Sequence, residues 1–205
     1  MTHSLHRRGT AESLSQDYVL VCLTAIGFND KNHEPKLAEF LRIALRHDPV
    51  NIGAISTGNM YSHSKEEVVK SAHGIVHAVF VKQDQVVDVL KDLEKAGLGM
   101  SVVISGIYEK VDECLAKVGL KHHTANFSLG IWGKTEKLPS DSILEVTTMC
   151  GHAMISANLV KSIVDDIKAG RKTPDEAAKA LTPQCACGIF NPVRAAKLLA
   201  AMAKK

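Results

Sequence analysis

The chain has 205 residues, which is enough for one domain of ordinary size with a sizeable core. Apolar residues make up 45% and charged residues 23%, proportions that exclude the disordered and fibrous classes. The net charge is only +3 and no basic strip is present, while aromatic residues amount to 4%. Because nucleic-acid binding usually needs a basic footprint or a stacking surface, we expect no nucleic-acid partner.

The start of the sequence is polar, and no later segment approaches the roughly 20 apolar residues that a membrane-spanning helix needs. We therefore expect a soluble, cytoplasmic protein with no membrane partner. Five cysteines is an odd number for a disulfide framework. In a reducing compartment, clustered thiols are more typical of metal binding or catalysis.

The first third of the chain predicts a strand, a helix and a loop. Residues 18–26 form an apolar run rich in β-formers, typical of a buried strand. Residues 35–47 carry apolar side chains three and four apart, as on one face of a helix, before Pro49 ends the pattern. Residues 51–64 contain two glycines and small polar side chains without periodicity, so we predict a loop there.

Strand and helix patterns alternate through the middle of the chain and predict an α/β fold. The expected elements are helices at 65–72, 84–96 and 107–118, strands at 75–81 and 100–105, and an extended stretch at 123–131. Such alternation is typical of a sheet covered by helices, an α/β sandwich.

The last third reads as a strand at 143–148 followed by helices at 153–168, from Pro174, and from Pro192 to about 202. Thr173 and Glu176 form a capping box at the start of the second of these helices. We expect a single α/β domain over 1–205, with a sheet-forming part at 1–142 and a helical part at 143–205 that carries a cysteine cluster.

Three of the five cysteines are candidates for a shared thiolate site. Cys22 and Cys114 lie on apolar faces and are expected in the core. Cys150 is followed by glycine, and Cys185 and Cys187 stand just before a glycine and a capped helix. Glycine lets backbone N–H groups approach sulfur, and the start of a helix stabilises thiolates. We predict that these three cysteines bind a metal or an iron-sulfur cluster.

Three thiolates could hold either of two kinds of metal site, an iron-sulfur cluster or a single zinc ion. A [4Fe-4S] cluster held by Cys150, Cys185 and Cys187 would have one open iron that binds a substrate atom. With His152 as fourth ligand the same thiols would form a closed zinc site, although a spacing of two between Cys150 and His152 is tighter than usual for zinc. A redox pair of Cys185 and Cys187 is a third interpretation, disfavoured by the strained ring that it would form.

The leading hypothesis is a non-redox [4Fe-4S] enzyme of lyase or desulfidase type that acts on a small anionic substrate. His152, expected in the first turn of a helix, is the candidate proton-transfer residue. The candidate substrate-binding residues, chosen for their polar side chains in glycine-containing or alternating segments, are Ser56, Thr57, Asn59 and Asn126. The alternative is a zinc-binding structural, carrier or accessory protein without catalysis.

Two further expectations concern the surface. Arg7 and Arg8 are candidates for clamping a carboxylate, but a solvated chain terminus is the more common meaning of such a pair. The apolar stripes of the helices are compatible with a homodimer without requiring one.

Overall fold

The computed structural model describes residues 6–204. The strands are β1 (Tyr18–Leu23), β2 (Asn51–Ala54), β3 (Gly58–Asn59), β4 (Ile75–Phe80) and β5 (Ser101–Ser105). The helices are α1 (Ala11–Leu14), α2 (Glu34–Leu45), α3 (Lys65–Lys70), α4 (Gln83–Ala96), α5 (Tyr108–Lys117), α6 (Asp141–Thr147), α7 (Ala157–Lys168), α8 (Pro174–Leu181) and α9 (Pro192–Ala203). These elements confirm the predicted α/β class with a helical C-terminal part.

The five strands form one antiparallel sheet in the order β3-β2-β4-β1-β5. Because β1 and β2 both run antiparallel to β4, they are parallel to each other and are joined by α2. In the same way β4 and β5 both oppose β1 and are joined by α4. The sheet is therefore built from two interleaved βαβ units, which place α2 and α4 on the same face.

The two faces of the sheet support two separate helical layers. Along β1, Tyr18, Leu20 and Cys22 point into a core formed with α2 to α5, whereas Val19 and Val21 point into a core formed with α6 to α9. This alternation follows from the two-residue period of a strand. The C-terminal helices thus cover the face that the interleaved units leave bare, and the thiol site lies in that second layer.

The cysteines divide between these layers as expected from the sequence. Cys22 and Cys114 are fully buried in the first core, which confirms their predicted structural role. Cys150, Cys185 and Cys187 are buried in the second core. The two sets therefore lie on opposite faces of the sheet.

Two predicted elements are wrong. Residues 143–148 are not a strand, because α6 occupies Asp141–Thr147 and buries Ile143, Leu144 and Val146 against the C-terminal layer. Packing of this apolar face overrides the β-propensity of isoleucine and valine. Residues 51–64 are not all loop, since β2 and β3 form a short hairpin there.

None of the helices described between residues 6 and 204 is both long enough and apolar enough to cross a membrane.

A buried charge network connects the N-terminal segment, β1 and α9. The Asp17 carboxylate, whose side chain has no exposed surface, pairs with Arg7 and, at 3.0 Å, with Nη1 of Arg194. Asn191 Nδ2 donates a further hydrogen bond to Asp17 at 3.2 Å. The expectation of a solvated terminus is therefore wrong for Arg7, whose side chain is only 6% exposed.

Replacing Asp17 by asparagine should destabilise the fold strongly. The change would leave the buried guanidinium of Arg7 without its counter-charge and that of Arg194 with only the more distant Glu145 carboxylate, at 3.9 Å. Breaking a buried ion pair in this way costs about 3–5 kcal/mol. Urea denaturation measures the change in the free energy of unfolding. Asp141→Asn is the matched control, because Asp141 pairs with Arg8 at the surface, where its side chain is 82% exposed. Equal losses in the two variants would contradict this account of the network.

Candidate metal centre

The structure brings the C-terminal thiols together from two connections between helices. Cys150 follows α6, whereas Cys185 and Cys187 lie between α8 and α9. The Cys185 and Cys187 sulfurs are 3.8 Å apart, and Nδ1 of His152 lies 3.5 Å from the Cys187 sulfur. All three thiols are at most 5% exposed, while His152 lies at the surface. The site is therefore a buried thiol cluster with histidine on its solvent side.

The surroundings of the cluster favour a state in which Cys150 and Cys187 are thiolates and Cys185, between them, keeps its proton. The neighbouring Cys185 side chain, together with the backbone N–H groups of Met154 and His152, lowers the pKa of Cys150 to about 6. Cys185 likewise lowers the pKa of Cys187 to about 5, with help from the N–H of Ile189 and from His152. The pKa of Cys185 is raised, because its proton is held between Cys150 and Cys187.

The peptide planes of the loop at 185–190 are oriented by side chains from the β2–β3 hairpin. Asn51 Nδ2 donates to the carbonyl oxygen of Gly188 at 2.6 Å, and Asn59 Nδ2 donates to that of Ala186 at 3.3 Å. Because these carbonyl groups face the hairpin, the N–H groups on the opposite side of the same peptide planes point toward sulfur. The N–H of Ile189 does so. This arrangement stabilises negative charge on the thiols.

Two more donors bind the same loop and join it to Cys150. Tyr61 donates its hydroxyl hydrogen to the carbonyl of Phe190 at 2.7 Å, and burial raises the pKa of this phenol. Arg7 Nη2 donates to the carbonyl of Ile189 at 2.8 Å and to that of Met149 at 3.3 Å. One guanidinium thus connects the residue before Cys150 to the loop that carries the other two cysteines.

The predicted substrate-binding residues lie in different places. Asn59 is buried beside the thiol loop, where its amide has the structural contact described above. Ser56 and Thr57 are exposed at the hairpin turn, and the Thr57 hydroxyl donates to the carbonyl of Ser71 at 3.1 Å. Asn126 lines a separate cavity of about 560 Å³ next to β5, to which none of the three cysteines contributes.

His152 is not in the first turn of a helix. It lies in a turn that begins at Cys150, and the following helix, α7, starts only at Ala157. The helix dipole acts mainly over the first turn, so it does not account for the properties of His152. Contact with the Cys187 sulfur is the feature that places this imidazole at the site.

Sequence reasoning missed Arg7, Asn51 and Tyr61, all of which hold the thiol loops. Asn51 offered a weak signal, because it is an amide next to the apolar residue Ile52 at the start of a segment containing glycines. Arg7 and Tyr61 gave none, since they contact residues more than 120 positions away along the chain.

Comparison with family models, with curated proteins and with solved structures found no match for this chain.

Gly188 is the position where the thiol loop depends on the absence of a side chain. Its φ is +77°, and a Cβ atom there would lie 2.7 Å from Nδ2 of Asn51 and 2.7 Å from Cβ of Asn59. Real Cβ atoms do not approach other atoms so closely, so the loop or the hairpin would have to move.

Gly188→Ala should therefore lower stability and, if the thiols bind a metal, the metal content with it. Gly170→Ala is the matched control, since Gly170 has a similar φ of +68° but nothing within 4 Å of an added Cβ. Both variants carry the strain of a left-handed backbone, of order 1 kcal/mol, and only Gly188→Ala adds the clash. Metal analysis and thermal unfolding measure the difference. Normal metal content in Gly188→Ala would refute the fit described here.

Proposed function

We propose that Cys150, Cys185 and Cys187 hold a [4Fe-4S] cluster in a non-redox enzyme of lyase or desulfidase type. The observation that carries the proposal is the convergence of three buried thiols, two of them with strongly lowered pKa values, beside an exposed histidine. Thiolates are the usual protein ligands of such clusters. When bound through three cysteines, a cluster supplies one iron that can bind and polarise an oxygen or sulfur atom of a substrate.

The three thiols are spread more widely than the ligands of one ion, although two of them are close together. Ligands of a single tetrahedral zinc ion all lie within about 3.8 Å of one another. Within residues 6–204, the sulfurs of Cys150, Cys185 and Cys187 do not all lie within even 4.8 Å of one another. A cluster accepts this wider spread, because each cysteine binds a different iron atom. The Cys185 and Cys187 sulfurs, 3.8 Å apart, would have to separate when a cluster binds.

Zinc is the second candidate and has its own supporting observation. The 3.8 Å between Cys185 and Cys187 sulfurs matches the edge of a tetrahedron with Zn–S bonds of about 2.3 Å. His152 Nδ1, at 3.5 Å from Cys187, would then be the fourth ligand. In that case the protein would be a structural or metal-carrier protein without catalysis.

The protein's own residues have distinct parts in the proposed enzyme. Arg7, Asn51, Asn59 and Tyr61 orient the loops and therefore the N–H groups that face sulfur. His152 lies between the thiols and solvent, where it can hold or deliver the proton of a leaving hydroxyl or thiol group. A small anionic substrate would enter from this side. A reducing compartment such as the cytoplasm would keep the thiols available.

Replacing Cys185 or Cys187 by serine should remove most of the bound iron and acid-labile sulfide and abolish the visible absorption of protein purified without oxygen. Cys114→Ser is the matched control, because Cys114 is equally buried but lies across the sheet. Metal analysis distinguishes the candidates, since zinc without sulfide in the parent protein would favour the second one. Equal metal loss in all three variants would exclude this choice of ligands.

Replacing His152 by alanine should leave iron and sulfide content unchanged but lower turnover by a factor of about 10²–10⁴, the usual contribution of a general acid or base. Turnover is measured on the most active member of a panel of small hydroxy acids and thio-compounds. His123→Ala, at an exposed position away from the thiols, is the control. Loss of metal in His152→Ala would instead identify His152 as a ligand.

A further inference from the structure

A second cluster of metal-ligating side chains lies in the other helical layer, away from the cysteines. His33 and Glu34 stand at the start of α2, and His73 lies in the connection between α3 and β4. In the part of the chain that the structure describes, this is the one group of three histidine, cysteine or acidic side chains whose ligand atoms all lie within 4.8 Å of one another.

The distances in this cluster are close to those around one metal ion. Oε1 of Glu34 is 3.8 Å from Nε2 of His33 and 3.5 Å from Nδ1 of His73. With metal–ligand bonds of about 2.0–2.2 Å, the edges of a tetrahedral zinc site are about 3.3–3.6 Å. The two distances to Glu34 therefore lie within a few tenths of an ångström of these edges, and the two histidine nitrogens lie within 4.8 Å of each other.

His33 is held in the orientation that metal binding requires. Its Nδ1 lies 2.8 Å from the carbonyl oxygen of Asp30, and because a carbonyl only accepts, Nδ1 must carry the proton. In the neutral ring the lone pair is then on Nε2, the atom that faces Glu34. This Nε2 is shielded from solvent and has no hydrogen-bond partner. A hydrogen bond from the remote ring nitrogen to a backbone carbonyl is the usual support of a histidine ligand.

We propose that His33 Nε2, Glu34 Oε1 and His73 Nδ1 bind one divalent cation of the zinc class. Two imidazoles and one carboxylate are a ligand set found in zinc sites that keep a fourth position for water. The side chains of Glu34 and His73 are 51% and 59% exposed, so this fourth position faces solvent. The site is independent of the thiol centre and does not rest on the proposed function.

Charge at the cluster favours a cation over a simple contact between the side chains. Oε1 of the Glu34 carboxylate lies within 3.8 Å of a ring nitrogen of each histidine. A cation would bind the carboxylate and one ring nitrogen of each histidine at once, whereas a proton can bridge only one pair of these atoms.

Equilibrium dialysis of the full-length protein against zinc tests the site. The parent protein should bind one more zinc ion per chain than His73→Ala or Glu34→Gln, both changes at exposed positions that should not disturb folding. The cysteines are present in every variant, so the difference in stoichiometry reports this cluster alone. His33→Ala should give the same loss.

His122→Ala is the matched control, because His122 is also a surface histidine in contact with a carboxylate, that of Asp112 at 2.9 Å. It should bind as much zinc as the parent. Identical zinc stoichiometry in the parent, His73→Ala and Glu34→Gln would overturn the proposal and leave the cluster as a metal-free contact between side chains.

Discussion

The geometry of the thiol site depends on the buried guanidinium of Arg7. It donates hydrogen bonds to the carbonyls of Met149 and Ile189, next to the two cysteine-bearing segments, and its charge is balanced by Asp17 at the start of β1. The same carboxylate binds Arg194 of α9. A single anion, directly before β1, therefore fixes both the N-terminal segment and the helix that follows the thiol loop. Since buried charges are tolerated only when paired, each part of this network requires the others.

Burial and negative charge at the three cysteines oppose each other. Cys150 and Cys187 have lowered pKa values, yet both lie in an apolar layer where an isolated anion is costly. The shared proton of Cys185 and the surrounding N–H groups offset part of this cost. A bound metal would offset the rest, because it replaces the shared proton with a larger positive charge. This is the physical reason for interpreting the site as a metal centre rather than as three inert thiols.

Local signals predicted much of the fold. The capping box of Thr173 and Glu176 forms as expected, because it depends on neighbours within a few residues. The segment 143–148 was mispredicted, since its β-branched residues suit a strand as well as an apolar helix face and only packing decides between them. The antiparallel sheet order could not be predicted, because it depends on contacts between distant parts of the chain.

The three cysteines of the site could be predicted from the sequence, but the residues that orient their loops could not. The Cys-x-Cys spacing and adjacent glycines indicated a thiolate centre, whereas Arg7 was assigned to a solvated terminus because nothing near it in sequence shows Asp17 as its partner. Asn59 was predicted only as a substrate-binding residue, and the contact of its amide with the thiol loop was not foreseen. Residues that position a site through long-range contacts leave little trace in a single sequence.

X-ray absorption spectroscopy at the edge of the bound metal, on protein purified without oxygen, tests the central claim most directly. We expect an iron centre surrounded by sulfur, with the short iron–iron scattering of a cluster. A zinc edge with three sulfur neighbours and one nitrogen would keep the thiol centre but favour the non-catalytic alternative. A metal surrounded only by nitrogen and oxygen would contradict the assignment of Cys150, Cys185 and Cys187 as ligands.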